Sequence, residues 1–397
     1  MKTLLSPLTF DPGVAACFSD TARVQAMLDV EVALAEAGAA AGVIPAAAVP
    51  PIRTAARAGL FDFDRLAGDA ADAGNLLIPL LAQLKGRVGE SDASAVGHVH
   101  VGASSQDIID TGLVLQLRAA IPIVSSNVRR AVAAAARHAR EHRSTMMAGR
   151  TWMQQATPTT FGLKAAGWLE AMERGRRAVD ERAREACILQ FGGSSGTLAA
   201  LGPQAAQVST ELGRRLDLPV PTLPWHAHRD RQVRLACALA VLTGTLGKIG
   251  RDLALLAQTE VAEAHEKPQP GRGGSSSMPH KRNPIASSVA LAASVRVPGL
   301  LASLLAAMPQ EHERGLGGWQ AEWDVVPEIV LLTSGAARAI ADALEGLVVD
   351  AAHMARNLEL TAEAVRKLLP PDRHLGLAET FVDEVLARWE KEGGPHA

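Results

Sequence analysis

Residues 271–284 read GRGGSSSMPHKRNP. Glycine-rich backbone approaches a ligand closely and leaves its amides free to donate. Ser275, Ser276 and Ser277 offer hydroxyls that give or take a proton, and Lys281 and Arg282 add positive charge beside them. Such a segment has the parts to hold the negative charge of an enolate-like intermediate and to move one proton. It could equally be a basic surface loop.

Three more segments carry chemistry-bearing side chains. His98-Val99-His100-Val101-Gly102-Ala103-Ser104-Ser105-Gln106-Asp107 precedes a long helical pattern. Its serines and aspartate read either as helix caps or as an anion site at a helix N-terminus. The spacing of His98 and His100 alone does not make a metal site. Gly149-Arg150-Thr151-Trp152-Met153-Gln154-Gln155-Ala156-Thr157-Pro158 also precedes a helical pattern, with Pro158 near its first turn. Met308-Pro309-Gln310-Glu311-His312-Glu313-Arg314 is followed by three glycines and Trp319; its charges could be a solvated helix end. Trp225-His226-Ala227-His228-Arg229-Asp230-Arg231 reads as a charged helix start. Residues 244–248 lack the spacing of a phosphate-binding loop, and residues 191–196 follow no strand, so neither is a nucleotide fingerprint.

Long helices must position these loops. Apolar residues recur at helical spacing through 20–41, 107–142, 159–190, 229–264, 284–308, 323–347 and 374–391. Shorter helices fill 42–100, and Pro122 is expected to kink or break its helix. No run of strand alternation stands out. Rods this long predict an all-α bundle. Only 3% of residues are aromatic, which favours close helix packing over a β core. The 40 basic and 42 acidic residues leave no charge footprint for nucleic acid or membrane. The apolar stretches near 235–247 and 285–308 are expected to fall short of a bilayer span. Cys17, Cys187 and Cys237 are far apart and odd in number, which fits reduced core thiols and a cytoplasmic setting.

The ordered block Gly274-Ser275-Ser276-Ser277-Met278-Pro279-His280-Lys281-Arg282-Asn283 resembles the G-S-S-x-M-P-x-K-x-N signature of the fumarase/aspartase superfamily. The Ser104 and Thr151 segments resemble that superfamily's other two short regions, in the same order, and the likeness spans about residues 10–360. GASSQDIIDTGLVLQLR at 102–118, GRTWMQQATP at 149–158, LQFGGSSGTLAALG at 189–202, PWHAHRDR at 224–231 and the run 296–323 are most similar to the branch that closes a lactone on a carboxylated muconate in aromatic-acid breakdown.

The resemblance implies a long-helix bundle, 101–347, with smaller helical end domains, 1–100 and 348–397; relatives carry a longer C-terminal domain, so the last is expected to be shortened here. It implies a homotetramer with sites shared between subunits, a small di- or tricarboxylate substrate, and neither metal nor organic cofactor. It implies Ser275 as the proton-transferring serine and Lys281 as its charge-stabilising partner. His100, Ser104, Ser105, Thr151, Gln154, Gln155, Met278, Asn283 and Arg314 are the implied substrate-binding residues.

Three departures qualify that transfer. Many relatives place a histidine after the threonine of the second region and pair it with a glutamate; here those positions are Trp152 and Ser288. Another histidine position is Gln155. Adenylosuccinate lyase, which shares MPQEHER, carries a phosphate-binding arginine where this chain has Trp323. Elimination of a succinyl adduct with release of fumarate is the alternative activity.

Overall fold

The computed structural model describes residues 4–267, 273–274, 277–278, 281–368 and 373–394. Ser275, Ser276 and His280 lie outside the described residues. The chain opens with α1 (Ser6–Thr9), α2 (Pro12–Cys17), α3 (Asp20–Ala40), α4 (Val49–Ala55), α5 (Phe63–Ala73) and α6 (Leu77–Ser91). The rod α7 (Ser105–Glu141) leads into an antiparallel hairpin, β1 (Met146–Thr151) and β2 (Gln154–Thr160). Next come α8 (Phe161–Ala186), α9 (Ala205–Leu216) and α10 (Asp230–Leu256). The short strand β3 (Ala264–Glu266), α11 (Ile285–Ala307) and α12 (Gly318–Glu345) follow, and β4 (Leu347–Val349) pairs back antiparallel with β3. The chain closes with α13 (Ala351–Glu359), α14 (Ala362–Leu368) and α15 (Ala378–Lys391).

α7, α8, α10, α11 and α12 pack on one another as the central bundle. The pattern that places α7 is legible along its length. Val114, Leu117, Ile121, Val124, Val128, Ala131 and Ala135 alternate steps of three and four, and all are buried. That is the seam of a rod packed along its whole length. Pro122 falls on the exposed side of this seam, and the helix continues through it; the expected break does not occur.

Two hydrophobic cores result. One runs through the bundle and takes in α15 through Val382, Leu386 and Trp389. The other joins α3, α4 and α6 to the start of α7 and to later residues such as Val208, Leu212 and Trp225. The region 188–225 thus packs with the N-terminal helices.

Two expectations are corrected. The hairpin β1–β2 was missed because its two-residue turn, Trp152-Met153, carries none of the Gly or Asn that mark such turns. The apolar stretches are not too short for a bilayer: α7, α10 and α11 each have the length and composition of a span. In α7 and α10, over half of the apolar window is buried within this chain, whereas in α11 only 22% is. Arg296, inside α11, is ion-paired with Glu328.

Candidate active site

At the start of α7 the loop is built around Asp107. Its carboxylate is fully buried and accepts from Ser104 N at 2.9 Å, Gln190 Nε2 at 3.0 Å, Gly192 N at 3.2 Å and Gly193 N at 2.8 Å. One acid therefore caps the helix and fixes two loops against each other. Gly102 has φ of +79°, and a Cβ there would sit 2.5 Å from Leu201 Cδ2, so only glycine allows this approach.

Arg314 reaches the same place from the segment between α11 and α12. It donates to Gln106 Oε1 at 2.7 Å, to Ser194 O at 3.1 Å and to Gly193 O, and lies 3.6 Å from Asp107. Much of its guanidinium is committed to holding the 193–194 turn. His226 is buried beside it, and burial, reinforced by Arg314, lowers its pKa.

Beneath this loop lies a buried ion cluster. Arg229 is 1% exposed and bonds Asp110 at 2.7 Å and Glu322 at 2.5 Å. Trp319 Nε1 donates to Asp110 at 2.9 Å, and the Arg229 guanidinium lies 4.7 Å from the Trp225 ring. The segment expected as a charged helix start does open α10 at Asp230; beyond that expectation, its buried Arg229 links α7, α10 and α12. Its signal in the sequence was the pairing of Arg229 with acids 119 and 93 residues away, which local reading does not reveal.

His100 is also built. Its Nδ1 lies 2.6 Å from Glu31 Oε1 on α3, and Glu31 is 1% exposed. A buried carboxylate on Nδ1 orients the ring and presents Nε2. The sequence reading found His100 and missed Glu31, which sits among the apolar residues of a core helix.

The other candidates gather at the far end of the bundle. Arg150 makes a two-pronged pair with the fully buried Glu263 at 2.8 and 2.6 Å, and Asn357 donates to the same carboxylate at 2.9 Å. This clamp holds the hairpin whose tip carries Thr151, Trp152, Met153 and Gln154, all exposed. Trp152 and Met153 have φ of 51° and 65°, and Trp152 is 95% exposed. Gln155 accepts from Thr361 at 3.1 Å.

The stems of the signature loop pinch together here. Gly274 pairs with Arg282, and Asn283 N donates to Gly273 O at 2.8 Å. Glu266, on β3, accepts from Ala286 N at 3.2 Å and Ser287 N at 3.1 Å, capping α11. Lys281 and Met278 are exposed and Asn283 half-buried. Ser288 turns its hydroxyl to Ile285 O.

One chain does not bring these groups together. α7 has 37 residues, a rod of about 55 Å at ~1.5 Å per residue. His100 and Ser104 precede it and Ser105 opens it, while Thr151 and Gln154 follow it. α11 starts beside Lys281 and Asn283, and after it Pro309 pairs with His228; its 23 residues span about 35 Å. So His100, Ser104, Ser105 and Arg314 sit at one end, and Thr151, Gln154, Gln155, Met278, Lys281 and Asn283 at the other.

Residues 11–299 match the family described as lyase. The 3-carboxy-cis,cis-muconate cycloisomerase of Bradyrhizobium diazoefficiens is 50% identical over 370 residues, 92% of this chain and 82% of that protein. Its namesake from Pseudomonas aeruginosa is 52% identical over 88% of this chain and 77% of the relative. A nitrosuccinate lyase of Streptomyces davaonensis is 40% identical over 93% and 80%. The crystal structure of the 3-carboxy-cis,cis-muconate lactonizing enzyme from Pseudomonas putida superposes with a TM-score of 0.87 at 44% identity, covering 98% of this chain and 88% of that one.

Proposed function

The chain belongs to this lyase family, and we infer that it is a cycloisomerase that closes 3-carboxy-cis,cis-muconate to a muconolactone in aromatic-acid breakdown. The observation that carries the reading is the hairpin tip. Where an eliminating relative keeps an imidazole, this chain presents Trp152, while the hydroxyl, amide and cationic groups suited to several carboxylates remain. Similarity to cycloisomerases at 43–52% identity supports the same activity.

In the reaction one carboxylate oxygen adds to a carbon of the conjugated double bond. The electron pair shifts toward the neighbouring carboxylate, which becomes an aci-carboxylate, and one proton then goes to the adjacent carbon. Atoms balance within the substrate apart from that proton. Lys281 and the amides of the signature loop stabilise the developing charge. Ser275 donates the proton. A neutral serine is already in the donating form, whereas an eliminating enzyme must first make its oxyanion; this is why lactonization tolerates Trp152 and Gln155 at histidine positions. His100, Ser104, Ser105, Thr151, Gln154, Met278, Asn283 and Arg314 hold the carboxylates, with Arg314 acting partly through the 193–194 turn. A second reading of the donor is favoured by the 2.6 Å contact between His100 and Glu31, which makes His100 the oriented imidazole among the implied substrate-binding residues.

The reading requires several chains. Four copies would bury the apolar α11 and bring the two ends of different bundles together into shared sites. Three free thiols fit a reducing cytoplasm. Adenylosuccinate cleavage fits less well. Trp323 stands at the arginine position, packs edge-on against Trp319 at 4.9 Å and lines a small apolar cavity with Met27, Ile109 and Leu113, so it offers no fork for a phosphate.

Purified protein should consume 3-carboxy-cis,cis-muconate, read as loss of muconate absorbance, with saturation, and should release no AMP from adenylosuccinate. AMP release at a rate exceeding muconate loss would reverse the assignment.

A further inference from the structure

The end of α7 reads His138-Ala139-Arg140-Glu141-His142, and these side chains take no part in the site above. Histidines four apart, with a glutamate between them, are a spacing that zinc sites use. One nitrogen of each imidazole and one Glu141 carboxylate oxygen all lie within 4.8 Å of one another.

The bonding of His138 settles which nitrogen is available. His138 is 2% exposed, and its Nε2 lies 2.8 Å from the Leu344 carbonyl. Arg137 Nη2 approaches the same nitrogen at 3.3 Å, but the shorter contact is to the carbonyl, which only accepts, so Nε2 carries the ring proton and Nδ1 the lone pair. That Nδ1 is buried and has no hydrogen-bond partner. A buried acceptor without a partner is unfavourable, because it has lost water and gained nothing in exchange. Metal-ligating histidines show this same division, one N–H given to a backbone carbonyl and the other nitrogen turned to the ion. His142 Nδ1 is 3.2 Å from Thr145 Oγ1, which leaves its Nε2.

Most of the surrounding positive charge is engaged by carbonyls and carboxylates, although Arg137 Nη2 lies 3.3 Å from His138 Nε2. Arg137 is turned to the carbonyls of Leu344 and Glu345, Arg140 to Glu390, and Arg143 to Asp383 and Glu379. The negative end of the helix dipole lies here as well.

We propose that His138, Glu141 and His142 form a divalent-cation site, with zinc the ion that two imidazoles and one carboxylate suit best. The ion would pin the last turn of α7 to the turn leading into β1, and so steady the hairpin that carries Thr151.

The test uses full-length, tag-free protein stripped with a chelator and titrated with Co²⁺, then Zn²⁺. One cobalt per chain should give visible d–d bands that zinc bleaches, and zinc should raise the melting temperature. His142→Gln and Glu141→Gln, at half-buried and exposed positions, should weaken binding by at least about tenfold. His353→Gln, at an unrelated surface histidine, should not. No cobalt spectrum, binding only at millimolar metal, or equal affinity in wild type and His142→Gln would overturn the site.

Discussion

Arg314 and His100 show what single residues contribute at the α7 end. Arg314→Lys keeps the charge and loses the fork that reaches Gln106, Gly193 and Ser194 together. It should raise KM more than it lowers kcat, since the turn it holds frames the substrate; a fall in kcat with unchanged KM would place it at the reacting atoms. His100→Asn suits the left-handed backbone at φ 66° and removes the imidazole. If Ser275 is the donor, Ser275→Ala should cut turnover by about 10²–10⁴ with substrate binding nearly intact. His100→Asn should then act chiefly on KM. A collapse of kcat in His100→Asn with near-normal turnover in Ser275→Ala would hand the proton to His100. Acid sensitivity follows from the histidines that burial holds below their ordinary pKa, His138, His142 and His226. Unfolded, these rings bind protons near pH 6.5; folded, they bind them only at lower pH. Their contribution to stability is therefore fully present above about pH 6.5 and falls as pH drops below it. Melting temperature against pH should show that fall, and His226→Gln should flatten part of it; a curve unchanged by the substitution would count against the assignment.

Among the elements, the two loop-bearing ends are each fixed by a buried charge. Breaking a buried pair costs about 3–5 kcal/mol. Arg229→Met strands Asp110 and Glu322 in the core and should lose stability on that scale, measured by denaturant unfolding. Glu263→Gln frees Arg150, which is 25% exposed, so the loss should be at the low end. The β1–β2 hairpin should exchange its amides faster and activity should drop with it; unchanged exchange would show that the clamp does not hold the tip. The rods themselves were legible in the sequence. The helical spacing over 107–142 read directly and became the 3-4 seam from Val114 to Ala135, and capping by Ser104 and Asp107 was one of the two readings of that segment. The hairpin did not read directly, since Trp152-Met153 takes a turn usually marked by Asn or Gly. Nor did Glu31, Glu263 or the Arg229 cluster, because each depends on partners far away in the chain. Pro122 misled, because it falls on the exposed side of the α7 seam.

For the whole molecule, the length of α7 is the decisive dimension. A rod of about 55 Å separates groups that the proposed function brings together around one small substrate. Only 22% of the apolar window of α11 is buried within this chain, a contiguous apolar surface that isolated chains rarely leave to water. Sedimentation should therefore show a tetramer, with activity lost on dilution to monomers. The direct test is subunit mixing. His100→Asn and Lys281→Ala, each with little activity at low substrate concentration, alter opposite ends of the bundle. Unfolded together and refolded, they should regain part of the loss of 3-carboxy-cis,cis-muconate absorbance, because some hybrid sites would take an intact His100 loop from one chain and an intact Lys281 loop from another. Hybrids proven by mass that stay as inactive as either parent would contradict a site shared between chains.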